Sequence, residues 1–310
     1  MTRFLRASLF VLAAAALLFS IGCSSPPATP AGPATVIDQL GRTVKLDKLP
    51  QRIISLAPSN TEILYALGLA DRVVGVTDYD DYPPEVKQKP SIGGFSTPNL
   101  EKVVSLSPDL VLAAPIHQKE VIPQLEAKGI TVLALAPKTL DEVTAAITLV
   151  GQVTGTAPKA SEVVSGMQKR IKAVTDKTDK LSADKRPKVM YVVWPDPLMV
   201  SGSGTFLDEL ISKAGGVNVF GNLKDYPAVS LEAVVQANPD IILAGVSMGA
   251  GGDAPLTFAQ TNPELRDIAA RKSDPPRVYS IDSDVAGRAG PRIVDVLEDF
   301  AKKIHPELFK

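Results

Sequence analysis

A fourteen-residue segment recurs without a gap in this 310-residue chain, and the recurrence limits the possible folds more than any other feature. Leu100-Glu101-Lys102-Val103-Val104-Ser105-Leu106-Ser107-Pro108-Asp109-Leu110-Val111-Leu112-Ala113 matches Leu231-Glu232-Ala233-Val234-Val235-Gln236-Ala237-Asn238-Pro239-Asp240-Ile241-Ile242-Leu243-Ala244, with identity at eight of fourteen positions. Each copy is preceded by a residue suited to capping a helix, Asn99 or Ser230. A Pro-Asp turn and an apolar run of strand length follow, so each copy predicts a short helix, a turn and a buried strand. The spacing of 131 residues is too long for a solenoid repeat and about right for one lobe, so two related lobes are expected. Extending the register pairs Phe95 with Tyr226 before the helix and His117 with Met248 after the strand.

The flanking sequence repeats the same grammar. Apolar runs at 52–56, 73–76, 110–113 and 131–135 alternate with helix-like segments at 61–67, 119–128 and 140–153. The pattern returns with strands at 188–193, 240–244 and 277–281 and a last helix at about 291–304. Short strands alternating with helices predict an α/β fold of two Rossmann-like lobes with central, mainly parallel sheets. Between them, Pro158 opens a charged stretch to about Ala183 that predicts one long exposed helix, nearly 40 Å at about 1.5 Å per residue. Pro187 ends it. The expected division is a first lobe at 36–157, a linker helix at 158–186 and a second lobe at 187–310, with a ligand cleft between the lobes. In such open sheets the loops leaving the strand C-termini hold ligands.

At the N-terminus, Arg3 and Arg6 precede an uncharged, mostly apolar run that ends at Cys23, the single cysteine. This predicts a signal peptide over 1–22 rather than a permanent span, because the run is shorter than the roughly 20 residues a bilayer needs. Ser20-Ile21-Gly22-Cys23 resembles the lipobox of bacterial lipoproteins, with Ser20 where Leu is usual. That resemblance implies lipidation of Cys23 and a polar, Pro-rich tether over 23–35 on the outer face of the cytoplasmic membrane or in the periplasm.

With 33 basic and 34 acidic residues and no basic run, nucleic acid is not an expected partner. Enzyme signatures are missing as well. Ser203 lies between glycines without a Gly-x-Ser-x-Gly context, and there is neither a phosphate-binding Gly-x-x-x-x-Gly-Lys-Ser loop nor a His-Glu-x-x-His zinc helix. Two histidines are too few for a zinc or manganese carrier. The expectation is a binding protein, monomeric, without catalytic residues, metal site or cofactor.

The chain resembles the class III periplasmic binding proteins that deliver cobalamin, haem and ferric siderophores to ABC importers. The resemblance rests on 52–62, Pro98-Asn99-Leu100-Glu101, 107–111, Ala214-Gly215-Gly216-Val217-Asn218, 238–242 and Gly290-Pro291-Arg292, in this order and spacing. Asp78-Tyr79-Asp80-Asp81-Tyr82-Pro83-Pro84 and Trp194-Pro195-Asp196-Pro197 look most like the cobalamin binders. It implies a corrinoid as ligand, with haem or a ferric siderophore as the alternative. A bulky, partly flat molecule needs aromatic and aliphatic surfaces and a few polar groups. The candidates are Pro58, Ser59, Tyr79, Phe95, Trp194, Tyr226 and Met248, with Arg288 offering a guanidinium fork unless it pairs with Asp282 or Asp284. His117 is a candidate hydrogen-bond donor and a weaker one for touching a metal centre. The family also implies that Glu101 and Glu232, at matching repeat positions, dock the lobes onto arginines of the importer's membrane subunits.

Overall fold

The computed structural model describes residues 34–247 and 252–309; Cys23 and Met248 lie outside them. The chain starts with a hairpin of β1 (Ala34–Ile37) and β2 (Thr43–Leu46). Then come β3 (Ile53–Ser55), α1 (Pro58–Ala66), β4 (Val73–Gly75), α2 (Leu100–Ser105), β5 (Leu110–Ala113), α3 (Val121–Glu126), β6 (Val132–Ala134) and α4 (Leu140–Thr154). Among the described residues β3 to β6 form a parallel sheet of order β4-β3-β5-β6. Every residue of β3, β5 and β6 is buried, as expected of short apolar runs covered on both faces.

Helix α5 (Ala157–Thr178) follows. It stops at Thr178, short of the stretch to 183 or 186 expected from composition, and a separate 3-10 turn occupies Ala183–Lys185. Its 22 residues span about 33 Å at 1.5 Å per residue. Ala160, Met167, Val174 and Thr178 are its buried positions, and the half-buried Val163, Val164 and Ile171 flank them, making one apolar side along the helix.

The second half contains β7 (Lys188–Pro195), β8 (Leu198–Val200), α6 (Phe206–Lys213), β9 (Val217–Asn218), α7 (Leu231–Ala237), β10 (Ile241–Val246), α8 (Ala254–Thr261), α9 (Ala269–Lys272), β11 (Val278–Asp282), α10 (Ser283–Ala286) and α11 (Ile293–Ile304). Its sheet runs β11-β10-β7-β8 with β9 also on β7; all pairs are parallel except β7 with β8. Helix α5 packs against α4 of the first half and α11 and α6 of the second. A side chain at Gly151 would collide with Ala160, so glycine lets α4 and α5 approach closely. Arg170 fixes α5 to α11 through both carboxylate oxygens of Glu298 and one of Asp295. One apolar core runs from Ile53 and Leu140 through Met167 to Leu210 and Phe300, continuous across both halves.

The repeat is visible in the backbone. Asn99 and Ser230 cap α2 and α7 by accepting from the N–H of Lys102 and Ala233. Ser107 and Asn238, at equal register before the prolines, both adopt the left-handed region, at φ 46° and 45°. Next, Asp109 accepts from the N–H groups of Gln51 and Arg52, and Asp240 from that of Lys188, so each carboxylate ties the loop to the strand beside it.

Candidate functional site

A cleft of about 840 Å³ opens at the C-terminal ends of the parallel strands, where open α/β sheets hold ligands. Ala57, Pro58 and Ser59 reach it from the β3–α1 junction, residues 76–81 from the loop after β4, Ala114 from that after β5, and Ser283, Asp284, Gly287 and Arg288 from α10 and its end, just after β11. Val86, Lys87, Lys89, Ser91, Phe95 and Ser96 complete the lining, so both halves contribute.

The segment Pro58-Ser59-Asn60-Thr61-Glu62 divides the work at this end of α1. Pro58 takes an early helical position, where a missing N–H costs nothing. Asn60 Nδ2 donates to the Ala113 carbonyl and locks the helix to the end of β5. Glu62, only 3% exposed, receives Arg292 through Nε at 3.0 Å and Nη2 at 2.5 Å, and Arg288 through Nη1 at 3.3 Å. Arg288 also donates to Asp81 through Nη1 and to the Tyr79 carbonyl through Nη2. The alternative ion pair with Asp282 or Asp284 is thus not the one formed, the partners coming from the first half; Asp282 caps α10 by accepting from the N–H groups of Asp284 and Val285. The hydrogen bond from Arg288 holds the Asp81 carboxyl below the usual carboxylate range. Arg292 lies over the Tyr82 ring with its guanidinium carbon 3.8 Å from the centroid, a cation–π contact.

Tyr79 is presented by a turn built on Asp80, whose Oδ2 accepts from the N–H and hydroxyl of Thr77 at 2.8 and 2.6 Å. Burial raises the Asp80 pKa. The Tyr79 N–H donates to the Thr77 hydroxyl, and its side chain is left 63% exposed at the cleft. Phe95 is positioned by His117. The ring Nδ1 accepts from the Ala114 N–H at 2.9 Å, so Nε2 carries the proton and donates to the Phe95 carbonyl at 2.6 Å. The two rings meet edge to face at 5.5 Å between centroids. His117 is fully buried with both nitrogens engaged, which removes it as a metal ligand and makes it a positioning residue. Burial lowers its pKa, so the ring stays neutral near pH 7.

Pro58, Ser59, Tyr79, Phe95 and Arg288 therefore meet at the cleft. Trp194 and Tyr226 do not line it; they are 40% and 46% exposed, and the indole N–H of Trp194 donates to the Asp196 carbonyl. Glu101 and Glu232 are exposed in the first turns of α2 and α7. Glu62, Asp81 and Arg292 were not singled out from sequence. An acid within the apolar stretch of α1 was the available signal, but nothing local names its partners.

Among the described residues no cluster of His, Cys, Asp and Glu is arranged to hold a metal, and no helix is long and apolar enough to cross a membrane. A family profile described as periplasmic binding protein matches residues 53–285. An uncharacterized ABC transporter substrate-binding lipoprotein of Bacillus subtilis is 34% identical over 319 residues, covering 98% of this chain and 99% of its own length. The crystal structure of the periplasmic vitamin B12 binding protein of Vibrio cholerae superposes with a TM-score of 0.70 at 28% identity, over 84% of this chain and 99% of that one. The apo structure of a periplasmic heme-binding protein from Roseiflexus sp. RS-1 superposes with a TM-score of 0.72 at 28% identity, over 83% and 99%.

Proposed function

This chain belongs to the periplasmic binding protein family, as a substrate-binding protein of an ABC importer, and we propose that its cargo is a corrinoid. The observation that carries the choice of cargo is the charge state of the cleft. Asp78, Asp80, Asp81 and Asp284 line it together with Lys87, while Arg288 is committed to Asp81 and Glu62, and Lys89 to the Ala70 carbonyl. A lining with four acids against Lys87 suits a macrocycle rimmed by uncharged amides better than one carrying two propionates, whose desolvated carboxylates would face more acids than cations. Tyr79 and Phe95 supply flat surface at the cleft, and Trp194 and Tyr226 extend it beyond the lining for a ligand of this size. Haem or a ferric siderophore is the second reading, favoured by the exposed phenol of Tyr79, which can approach a ferric centre.

The remaining parts follow from the same reading. The mature protein works as a monomer of two lobes, 36–157 and 187–310, joined through the segment at 158–186. A lipid on Cys23 and the tether after it hold the protein at the outer face of the cytoplasmic membrane. Glu101 and Glu232 dock it onto the membrane subunits, and it carries no catalytic group. Uptake of labelled cyanocobalamin by cells lacking the chain tests this: the wild-type gene restores uptake, and Glu101→Arg with Glu232→Arg does not, although the purified variant binds cargo normally. Uptake unaffected by loss of the chain would contradict the proposal.

A further inference from the structure

Four side chains are common to the helical part of the two repeat copies: Leu, Glu, Val and Val. Three have a role. Leu100 and Leu231 are half-buried, Val103 and Val234 are completely buried, and Glu101 and Glu232 carry the proposed docking charge. The fourth pair is the least covered of the three apolar pairs, Val104 being 37% and Val235 45% exposed. A single exposed valine needs no explanation. The same exposed valine in both halves does, since neighbouring positions differ freely: Lys102 stands against Ala233, and Ser105 against Gln236. Each valine follows its glutamate by three residues, so the two share one side of the helix.

We propose that Val104 and Val235 are the apolar half of each docking patch, received by a shallow apolar recess beside the cation that takes the glutamate on each of two equivalent membrane subunits. The proposal rests on the docking reading of Glu101 and Glu232. Two matching patches, one on each half of the chain, suit a partner that offers the same surface twice. The chemistry divides accordingly. Exposed carboxylates steer the approach and are screened by salt, whereas an apolar contact sealed from water slows dissociation and is insensitive to salt.

Binding of the mature chain to its importer's membrane subunits in nanodiscs, followed over a series of salt concentrations, tests this. The near-isosteric pair Val104→Thr with Val235→Thr is expected to bind about tenfold more weakly, through faster dissociation and with an unchanged salt slope. Val104→Ala with Val235→Ala, which favours the helix, should show a comparable loss. Glu101→Gln with Glu232→Gln should instead slow association and flatten the salt dependence. If both valine pairs bind as wild type while the glutamate pair loses affinity, the valine proposal is overturned and the docking reading stands. If all three bind as wild type, the docking reading fails and takes the proposal with it.

Discussion

The carboxylate of Glu62 takes two hydrogen bonds from the guanidinium of Arg292 across 230 positions of sequence, joining α1 of the first half to the loop before α11 of the second. Arg288 and Asp81 enlarge this pair into a group of two cations and two anions. With the continuous core along α5, it ties the two halves at the cleft end as well as along the linking helix.

Glu62→Ala would leave two guanidiniums without their buried partner, a loss of about 3 to 5 kcal/mol for breaking a pair of this kind. A chain of this size should then melt roughly 10 °C lower. Thermal unfolding followed by circular dichroism measures it, and an unchanged midpoint would mean that the arginines hold no stabilising charge on Glu62.

Acid should loosen the cleft in two stages. The folded pKa of His117 is lowered by burial, so its neutral form stabilises the fold above the ordinary imidazole range and stability falls as pH drops from about 6.5. Asp81 is also lowered, chiefly by its hydrogen bond from Arg288, so its contribution is complete above the unfolded carboxylate value near 4 and is lost as pH falls through the folded one. Denaturant midpoints from pH 7 to 3 measure both. His117→Gln should abolish the upper stage and Asp81→Asn should reduce the lower, which Glu298 on Arg170 shares; sensitivity unchanged in both variants would contradict the assignment.

Local chemistry was legible in the sequence. The caps Asn99 and Ser230, the Pro-Asp turns and the apolar strands at 110–113 and 241–244 depend on residues within a few positions of one another, and all appear in the structure. Pairings that depend on the closed fold were not. Glu62 meets Arg292 only after two sheets and α5 are in place. The β1–β2 hairpin and the antiparallel β8 are short segments whose register is set by neighbours rather than by a strong period. His117 looked like a group for the cleft, yet its ring is consumed by the turn that follows β5.

Trp194 is the chain's single tryptophan, 40% exposed, and therefore a native reporter of cargo reaching the second half. Its emission should fall on adding cyanocobalamin, and Trp194→Ala should weaken binding by about 1 to 3 kcal/mol through lost contact area while leaving the melt unchanged. A folded variant with wild-type affinity would confine the ligand to the cleft lining around Tyr79 and Phe95.

Calorimetric titration of the mature chain with cyanocobalamin and haemin, run side by side on wild type and Asp81→Asn, tests the central claim most directly. The account predicts saturable one-to-one binding of cyanocobalamin, weaker binding of haemin, and a gain in haemin affinity when Asp81 no longer neutralises Arg288. Tight binding of haemin by the wild-type protein with none of cyanocobalamin would contradict it.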